Sequence, residues 1–183
     1  MIEIEKKFSL HTEQKKRLLE GSVFLREEFF FDVYYDSLEH LLMKKGFFLR
    51  RRNLDFLLKE TIVLGTVREE ITDEKEIRRI LELSSFGILE KALEEKKIFP
   101  LYKIETHRQK YQKEGFVMDV DEAIFPDVGT YSLCEIELMV ETKEEVPSGL
   151  KKLDQFIKKI GLEEKPIRGK ILELLYRQGI LLS

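Results

Sequence analysis

Hydrophobic and polar residues alternate from the first positions of the chain, M-I-E-I-E-K-K-F. A β-strand sends successive side chains to opposite faces. Glu3, Glu5 and Lys7 therefore share one face, and Ile2, Ile4 and Phe8 share the other. The apolar face wants a core. The charged face carries two carboxylates and an amine, and the reading that organises the chain is that it points inward, into a polar tunnel.

The same alternation predicts further strands at Val23 to Asp36, Phe47 to Arg52, Phe56 to Ile62, Val67 to Thr72, Ile98 to Gln112, Phe116 to Ala123 and Tyr131 to Thr142. Asn53 to Asp55 and Lys113 to Gly115 are turn signals between neighbouring strands. Helical spacing predicts a short helix from a Thr12 cap to Glu20 before Gly21, and a turn of helix over Leu38 to Lys45 before Gly46. It also predicts a helix over Asp73 to Leu83 with Thr72 or Asp73 as cap, and one from a Ser84 or Ser85 cap to Glu95. A helix from Val146-Pro147 to Ile160 stops at Gly161, and a last one runs from about Ile167 to Gln178. About eight strands with short connections and interspersed helices predict an α+β fold. The expected form is an eight-stranded antiparallel closed β-barrel with helices packed outside, one domain over residues 1–183.

Composition narrows the class. The chain has 183 residues, 43% hydrophobic and 37% charged, with a net charge of −3. That balance argues against a general polyanion binder with a basic surface, so no nucleic-acid partner is expected. The single cysteine, Cys134, excludes an intrachain disulfide and a cysteine zinc site. No apolar run approaches the ~20 residues that span a bilayer, and the N-terminus does not read as a signal peptide. The expectation is a cytoplasmic monomer with no membrane partner. His11, His40 and His107 lack metal-ligand spacing. Phe29, Phe30, Phe31 and Phe47 are expected in the core, and Cys134 in the apolar shell.

Charge at every second residue recurs along the strands. Arg50 and Arg52 share a face opposite Leu49 and Arg51. Lys59 follows Leu57, and Arg108 lies on a face with Tyr102, Ile104, Thr106 and Lys110. Glu135 and Glu137 oppose Cys134, Ile136 and Leu138, while Asp119 and Asp121 alternate with Met118 and Val120. Arg68, Lys110 and Glu70 fall on inner faces by the same count, with a solvent role equally open. If the apolar faces meet outer helices, the charged faces line the interior. Clustered carboxylates raise one another's pKa unless a cation sits among them, and a hard divalent metal with oxygen ligands meets that need. Clustered arginines and lysines want a polyanion. A phosphate chain with Mg²⁺ satisfies both.

These residues resemble the CYTH superfamily, the triphosphate tunnel metalloenzymes. Glu3-Ile4-Glu5-Lys6-Lys7 is similar to its E-x-E-x-K signature. Tyr34-Tyr35-Asp36, Leu49-Arg50-Arg51-Arg52, Leu58-Lys59, Arg108, Glu135-Ile136-Glu137 and Lys170 resemble its later elements in order. The likeness is nearest to the animal thiamine-triphosphatase branch. It implies an eight-stranded tunnel that hydrolyses the terminal phosphate of a triphosphate, thiamine triphosphate first, with Mg²⁺ or Mn²⁺. It implies that Arg50, Arg52, Lys59, Arg108 and Lys170 hold the triphosphate. Glu3, Glu5, Glu135, Glu137 and Asp119 or Asp121 would handle metal and water, and Lys7 with Tyr34 resembles a base-activating pair. Lys7 is expected among other cations. Where that branch can carry a Trp, this chain has Phe48, a weaker cation–π face for a thiazolium. Inorganic tripolyphosphatase, adenylyl cyclase and a non-catalytic polyanion-binding module are the alternatives.

Overall fold

A computed structural model describes residues 2–63, 66–163, 165 and 167–180. Eight strands are present: β1 (Ile2–Phe8), β2 (Val23–Asp36), β3 (Phe47–Arg52), β4 (Asp55–Val63), β5 (Val67–Ile71), β6 (Phe99–Lys113), β7 (Phe116–Phe125) and β8 (Gly129–Val140). They close into a barrel in the order β1-β5-β4-β3-β2-β6-β7-β8. Every neighbouring pair is antiparallel, and β1 against β8 completes the ring. Tight turns set the registers. At the β6–β7 hairpin both Glu114 and Gly115 have positive φ, the conformation that matches the strands' right-handed twist.

Among the described residues six α-helices accompany the barrel: α1 (Thr12–Leu19), α2 (Leu41–Lys44), α3 (Glu74–Ile80), α4 (Leu89–Glu95), α5 (Val146–Ile160) and α6 (Lys170–Arg177). Alternation along the strands makes a separate apolar shell outside the barrel. Ile2, Ile4, Phe8, Met118, Cys134 and Ile136 pack with Leu153, Phe156, Ile157 and Ile160 of α5. Gly149 lets α5 come this close: a Cβ there would lie 2.4 Å from Ile4 Cδ1. On the other side, Tyr35, Leu49, Leu58 and Ile71 pack with Ile77 of α3 and Leu89, Ala92 and Leu93 of α4.

The last helix behaves differently. Ile171, Leu174 and Leu175 of α6 pack on Tyr34, Ile104, Ala123 and Phe125. These four lie on the inner side of the barrel wall, in register with Arg50, Asp32, Thr106 and Gly129. α6 therefore fills part of one end of the tunnel instead of covering the wall.

Some local expectations change. His11, not Thr12, caps α1, accepting from the Gln14 N–H. The fourth helix starts at Leu89, because the carbonyls of Ser84 and Gly87 instead accept from the Arg78 guanidinium at 2.6 and 2.8 Å. Of the four phenylalanines expected in the core only Phe30 is buried, with Phe47 half-buried. Phe29 and Phe31 lie on the outer face of β2, which no helix covers there, and are exposed.

Candidate active site

The register decides what the tunnel wall contains. Across neighbouring strands the inner face pairs acid with base: Asp32 opposite Arg52, Glu3 opposite Arg68, Lys59 opposite Glu70, Lys7 opposite Glu135, Arg108 opposite Asp121 and Lys110 opposite Asp119. Three cross-strand pairs break the rule. One sets two cations together, the exposed Arg26 and the half-buried Lys110 near the end of the β2–β6 ladder, and the other two are acidic and largely buried. Glu5 faces Glu137, and Asp119 faces Glu135. Like charges directly opposite each other destabilise a sheet.

The two acidic exceptions coincide with two groups of converging oxygens. Glu3, Glu5 and Glu137 can bring one carboxylate oxygen each within 4.8 Å of one another, and so can Asp119, Glu135 and Glu137. Glu137 belongs to both. Among the described residues no hydrogen bond or ion pair reaches its carboxylate. Burial first, and then the carboxylates of Asp119, Glu3 and Glu135, push Glu137 well above the usual carboxylate range. Glu5 is raised by burial too, against the pull of Lys7. Glu135 goes the other way. Burial would raise it, but Lys7, Lys170 and Arg108 hold it well below its ordinary value. A hard divalent cation among these oxygens would relieve the repulsion at Glu137, so the donor set fits one.

The cations stand in ion pairs with this acid set. Lys59 Nζ lies 2.9 Å from both Glu3 oxygens and 2.9 Å from Glu70. Arg68 reaches Glu5 at 3.1 Å, and Lys110 reaches Asp119 at 2.6 Å. Arg108 bonds Asp119 and forks onto both oxygens of Asp121 at 2.7 Å. Lys170, at the first turn of α6, reaches Asp121 at 2.6 Å. Burial lowers the Lys170 ammonium, offset only in part by Asp121. The buried Nε atoms of Arg50 and Arg68 have no partner among the described residues. Such donors are rarely left unsatisfied, and a phosphate oxygen is a suitable acceptor.

One cavity of about 250 Å³ gathers these groups. Its walls include Glu3, Lys7, Tyr34, Phe48, Arg50, Arg52, Lys59, Arg108, Asp119, Glu135, Glu137 and Lys170. Of the residues singled out in the sequence, Glu5 and Asp121 lie behind this lining, each buried against the cations it holds. The choice between the two aspartates becomes physical: Asp119 joins a converging oxygen group, whereas Asp121 clamps Arg108 and Lys170. Arg68, Glu70 and Lys110 also line the cavity.

Lys7 and Tyr34 stand on β1 and β2, four places apart around an eight-membered ring, and hence on opposite walls. Lys7 does stand near other cations, since Arg68 shares its Glu5 oxygen and Arg108 its Glu135 partner, but its direct contacts are carboxylates. It bonds Glu5 and lies 3.3 Å from Glu135. Burial raises the Tyr34 phenol, with Asp32 adding to the rise, so it remains a donor at neutral pH. Asp36, the third residue of the Tyr34-Tyr35-Asp36 stretch, does not line the cavity. It accepts the backbone N–H groups of Ser37, Leu42 and Met43 at 2.7–2.9 Å and so holds α2. Arg51 lies outside, paired with Glu90 at 2.9 Å.

One wall residue, Asp32, escaped the sequence reading, and another, Phe30, is read there only as core. Asp32 is fully buried beneath Arg50 and Arg52, and Phe30 lies under three cations. An acid on the otherwise aromatic Phe30–Asp32–Tyr34 face was the available signal, because a buried carboxylate needs a partner. Among the described residues no helix is long and apolar enough to cross a membrane.

A closed antiparallel tunnel whose wall carries carboxylate groups beside a dense set of cations defines the triphosphate tunnel superfamily as the class. The chain belongs to the CYTH domain family, which matches residues 1–168. It is similar in fold to the PH1819 protein of Pyrococcus horikoshii OT3, at 23% identity and a TM-score of 0.62, over 96% of this chain and 99% of that one. It is also similar to a candidate adenylate cyclase of Bacillus halodurans, at 19% identity and a TM-score of 0.59, over 93% and 96% of the two chains. A third similar structure is HpAC1 of Hippeastrum, a candidate adenylyl cyclase that "reveals a dominant" triphosphatase activity, at 21% identity and a TM-score of 0.56, over 98% and 96%. No curated protein matches the chain in sequence. At these identities the likenesses concern fold.

Proposed function

We propose that this protein is a divalent-metal-dependent triphosphatase, releasing the terminal phosphate of a short polyphosphate substrate. The observation that carries the reading is the coincidence of the two largely buried acidic pairs, Glu5–Glu137 and Asp119–Glu135, with converging carboxylate oxygens, in a wall where Asp32, Glu3, Glu70 and Asp121 each face a cation. A pure polyanion-binding module would gain nothing from carboxylates set against each other.

In this reading Arg50, Arg52, Lys59, Arg68, Arg108 and Lys170 align the phosphate chain and oppose the charge on its terminal phosphoryl group. Lys59, Arg68 and Arg108 exchange their carboxylate partners for phosphate oxygens, which would free Glu3, Glu5, Asp119 and Glu135 to join Glu137 in holding Mg²⁺ or Mn²⁺. The metal would supply charge neutralisation at the phosphate oxygens. Water attacks the terminal phosphorus, the bond to the bridging oxygen breaks, and the products are orthophosphate and the shortened chain. Tyr34, as a phenol beside Arg50, donates to the substrate. Lys7 serves as an ammonium that fixes Glu5 and Glu135, in place of a proton-abstracting pair with Tyr34.

Inorganic tripolyphosphate is the favoured substrate. A cavity of about 250 Å³ lies below the ~300–1,000 Å³ usual for organic ligands. The Phe48 ring that would face a thiazolium already has the Arg68 guanidinium 5.3 Å from its centroid, and two cations compete poorly for one face. Thiamine triphosphate is the second reading, supported by the apolar lining that Phe48 shares with Leu57, Met139 and Leu172. The dominant triphosphatase activity of HpAC1 favours hydrolysis over cyclisation. The test is phosphate release from tripolyphosphate, thiamine triphosphate and ATP with Mg²⁺ or Mn²⁺, with cyclic AMP measured in parallel. Metal-dependent release, fastest from tripolyphosphate, is expected; cyclic AMP as the main product of ATP, or no release from any of the three, would overturn the reading.

A further inference from the structure

We infer that Asp32 is a positioning residue for substrate: a carboxylate that never meets the phosphate chain but sets the angle at which Arg50 and Arg52 do. The inference rests on the triphosphatase reading above.

Asp32 has no solvent exposure. Its two oxygens accept from Nε and Nη2 of Arg52, both at 2.8 Å, the parallel fork that fixes a guanidinium plane. Arg50 Nη1 lies 3.3 Å from the same Oδ2. Arg52 is held on a second side by Phe30, whose ring centroid lies 3.7 Å from its Cζ. The carboxylate is directed by β2, where Phe30, Asp32 and Tyr34 follow one another on the inner face, and the β2–β3 register sets Asp32 opposite Arg52 and Tyr34 opposite Arg50. Both arginines line the cavity and Asp32 does not. Arginine side chains carry large rotamer entropy, which a rigid anchor removes before substrate arrives.

Charge and position predict opposite outcomes, so they can be separated. Removing a buried anion makes the tunnel more positive. A carboxylate acting only through its charge would therefore weaken anion binding in the wild type, and Asp32→Asn would tighten it. A positioning carboxylate predicts looser binding despite the gain in positive charge.

The experiment measures inorganic tripolyphosphate binding by titration calorimetry without metal, and phosphate release with Mg²⁺, for the wild type, Asp32→Asn and Asp32→Glu. Glu keeps the charge but displaces the carboxylate by one methylene. Both variants should bind roughly tenfold more weakly, the scale on which supporting partners act on the groups they orient. In an Arg52→Ala background, Asp32→Asn should cost much less than it does alone, because its main route to the substrate is gone. Unchanged or tighter binding in Asp32→Asn overturns the inference, as does full retention in Asp32→Glu, or a cost in the Arg52→Ala background equal to that in the wild type, which a general defect of folding would give. If Asp32→Asn does not fold, Asp32→Glu decides alone. Wild-type protein that binds tripolyphosphate but releases no phosphate ends the triphosphatase reading and leaves Asp32 decided by binding. Wild-type protein that binds none ends both.

Discussion

Replacing Glu137 by Gln should make the metal-free protein more stable and inactive at once. The carboxylate sits within 4.8 Å of acidic oxygens from both sides, those of Glu3 and Glu5 and those of Asp119 and Glu135. Two unit charges 4.8 Å apart repel by about 3.5 kcal/mol at an effective dielectric of about 20. The cations on the neighbours offset part of this: Lys59 on Glu3, Lys110 on Asp119 and Lys7 on Glu135. A net relief of about 2 kcal/mol is a reasonable remainder, and for a chain of this size it raises Tm by about 4–8 °C. The sign follows from linkage. A carboxyl raised in the folded state binds its proton more tightly there than in the unfolded chain, so stability falls as pH rises from the unfolded value toward the folded one. Gln removes that loss, and its amide can donate to the carboxylates around it. Mg²⁺ at about a hundred times its dissociation constant should add about 2.7 kcal/mol to the wild type and far less to the variant. Thermal melts in EDTA and in Mg²⁺, with phosphate release alongside, read all three effects. A variant that melts at or below the wild type in EDTA, or that keeps the full Mg²⁺ shift, would refute the argument.

Three further outcomes are expected. Gly149→Ala should lower Tm, because the new Cβ meets Ile4 Cδ1 at 2.4 Å and Val140 Cγ1 at 3.2 Å; overpacking costs about 1–3 kcal/mol and outweighs the helix-propensity gain of about 1 kcal/mol. A raised Tm would mean that α5 can retreat from β1 freely. Asp36→Ala should cost about 3 kcal/mol, since three backbone donors of the α2 region lose a charged acceptor; a denaturant midpoint that hardly moves would show that water replaces it. Burial would raise Asp32, but Arg50 and Arg52 hold it below its ordinary value. Its stabilising contribution is therefore present above the unfolded value of about 3.9 and lost as pH falls below it. The stability gap between the wild type and Asp32→Asn should shrink in acid, and a gap constant from neutral pH down to strong acid would contradict this.

Much of the barrel was legible because period-two alternation is a local property. Ile4 beside Glu5, or Leu49 beside Arg50, already separates an outer apolar wall from an inner polar one, and the turn at Glu114-Gly115 reads from composition. The misreadings also have local causes. Phe29 and Phe31 look like core by type, yet their side of β2 has no helix over it. The Ser84-Ser85 stretch looks like a cap, but the nearby Arg78 guanidinium takes the carbonyls of Ser84 and Gly87.

The sequence by itself determined which residues share a face: Glu3, Glu5 and Lys7 together, Arg50 with Arg52, Glu135 with Glu137. That information is carried by neighbours two positions apart and survives any tertiary arrangement. Closure of the barrel decided who stands opposite whom. Only the ring brings Glu5 against Glu137, more than 130 residues away in the chain, separates Asp119 from Asp121 by their partners, and turns Lys170 into the tunnel on α6. Coulomb energy depends on distance through space, and alternation along a strand says nothing about the strand beside it.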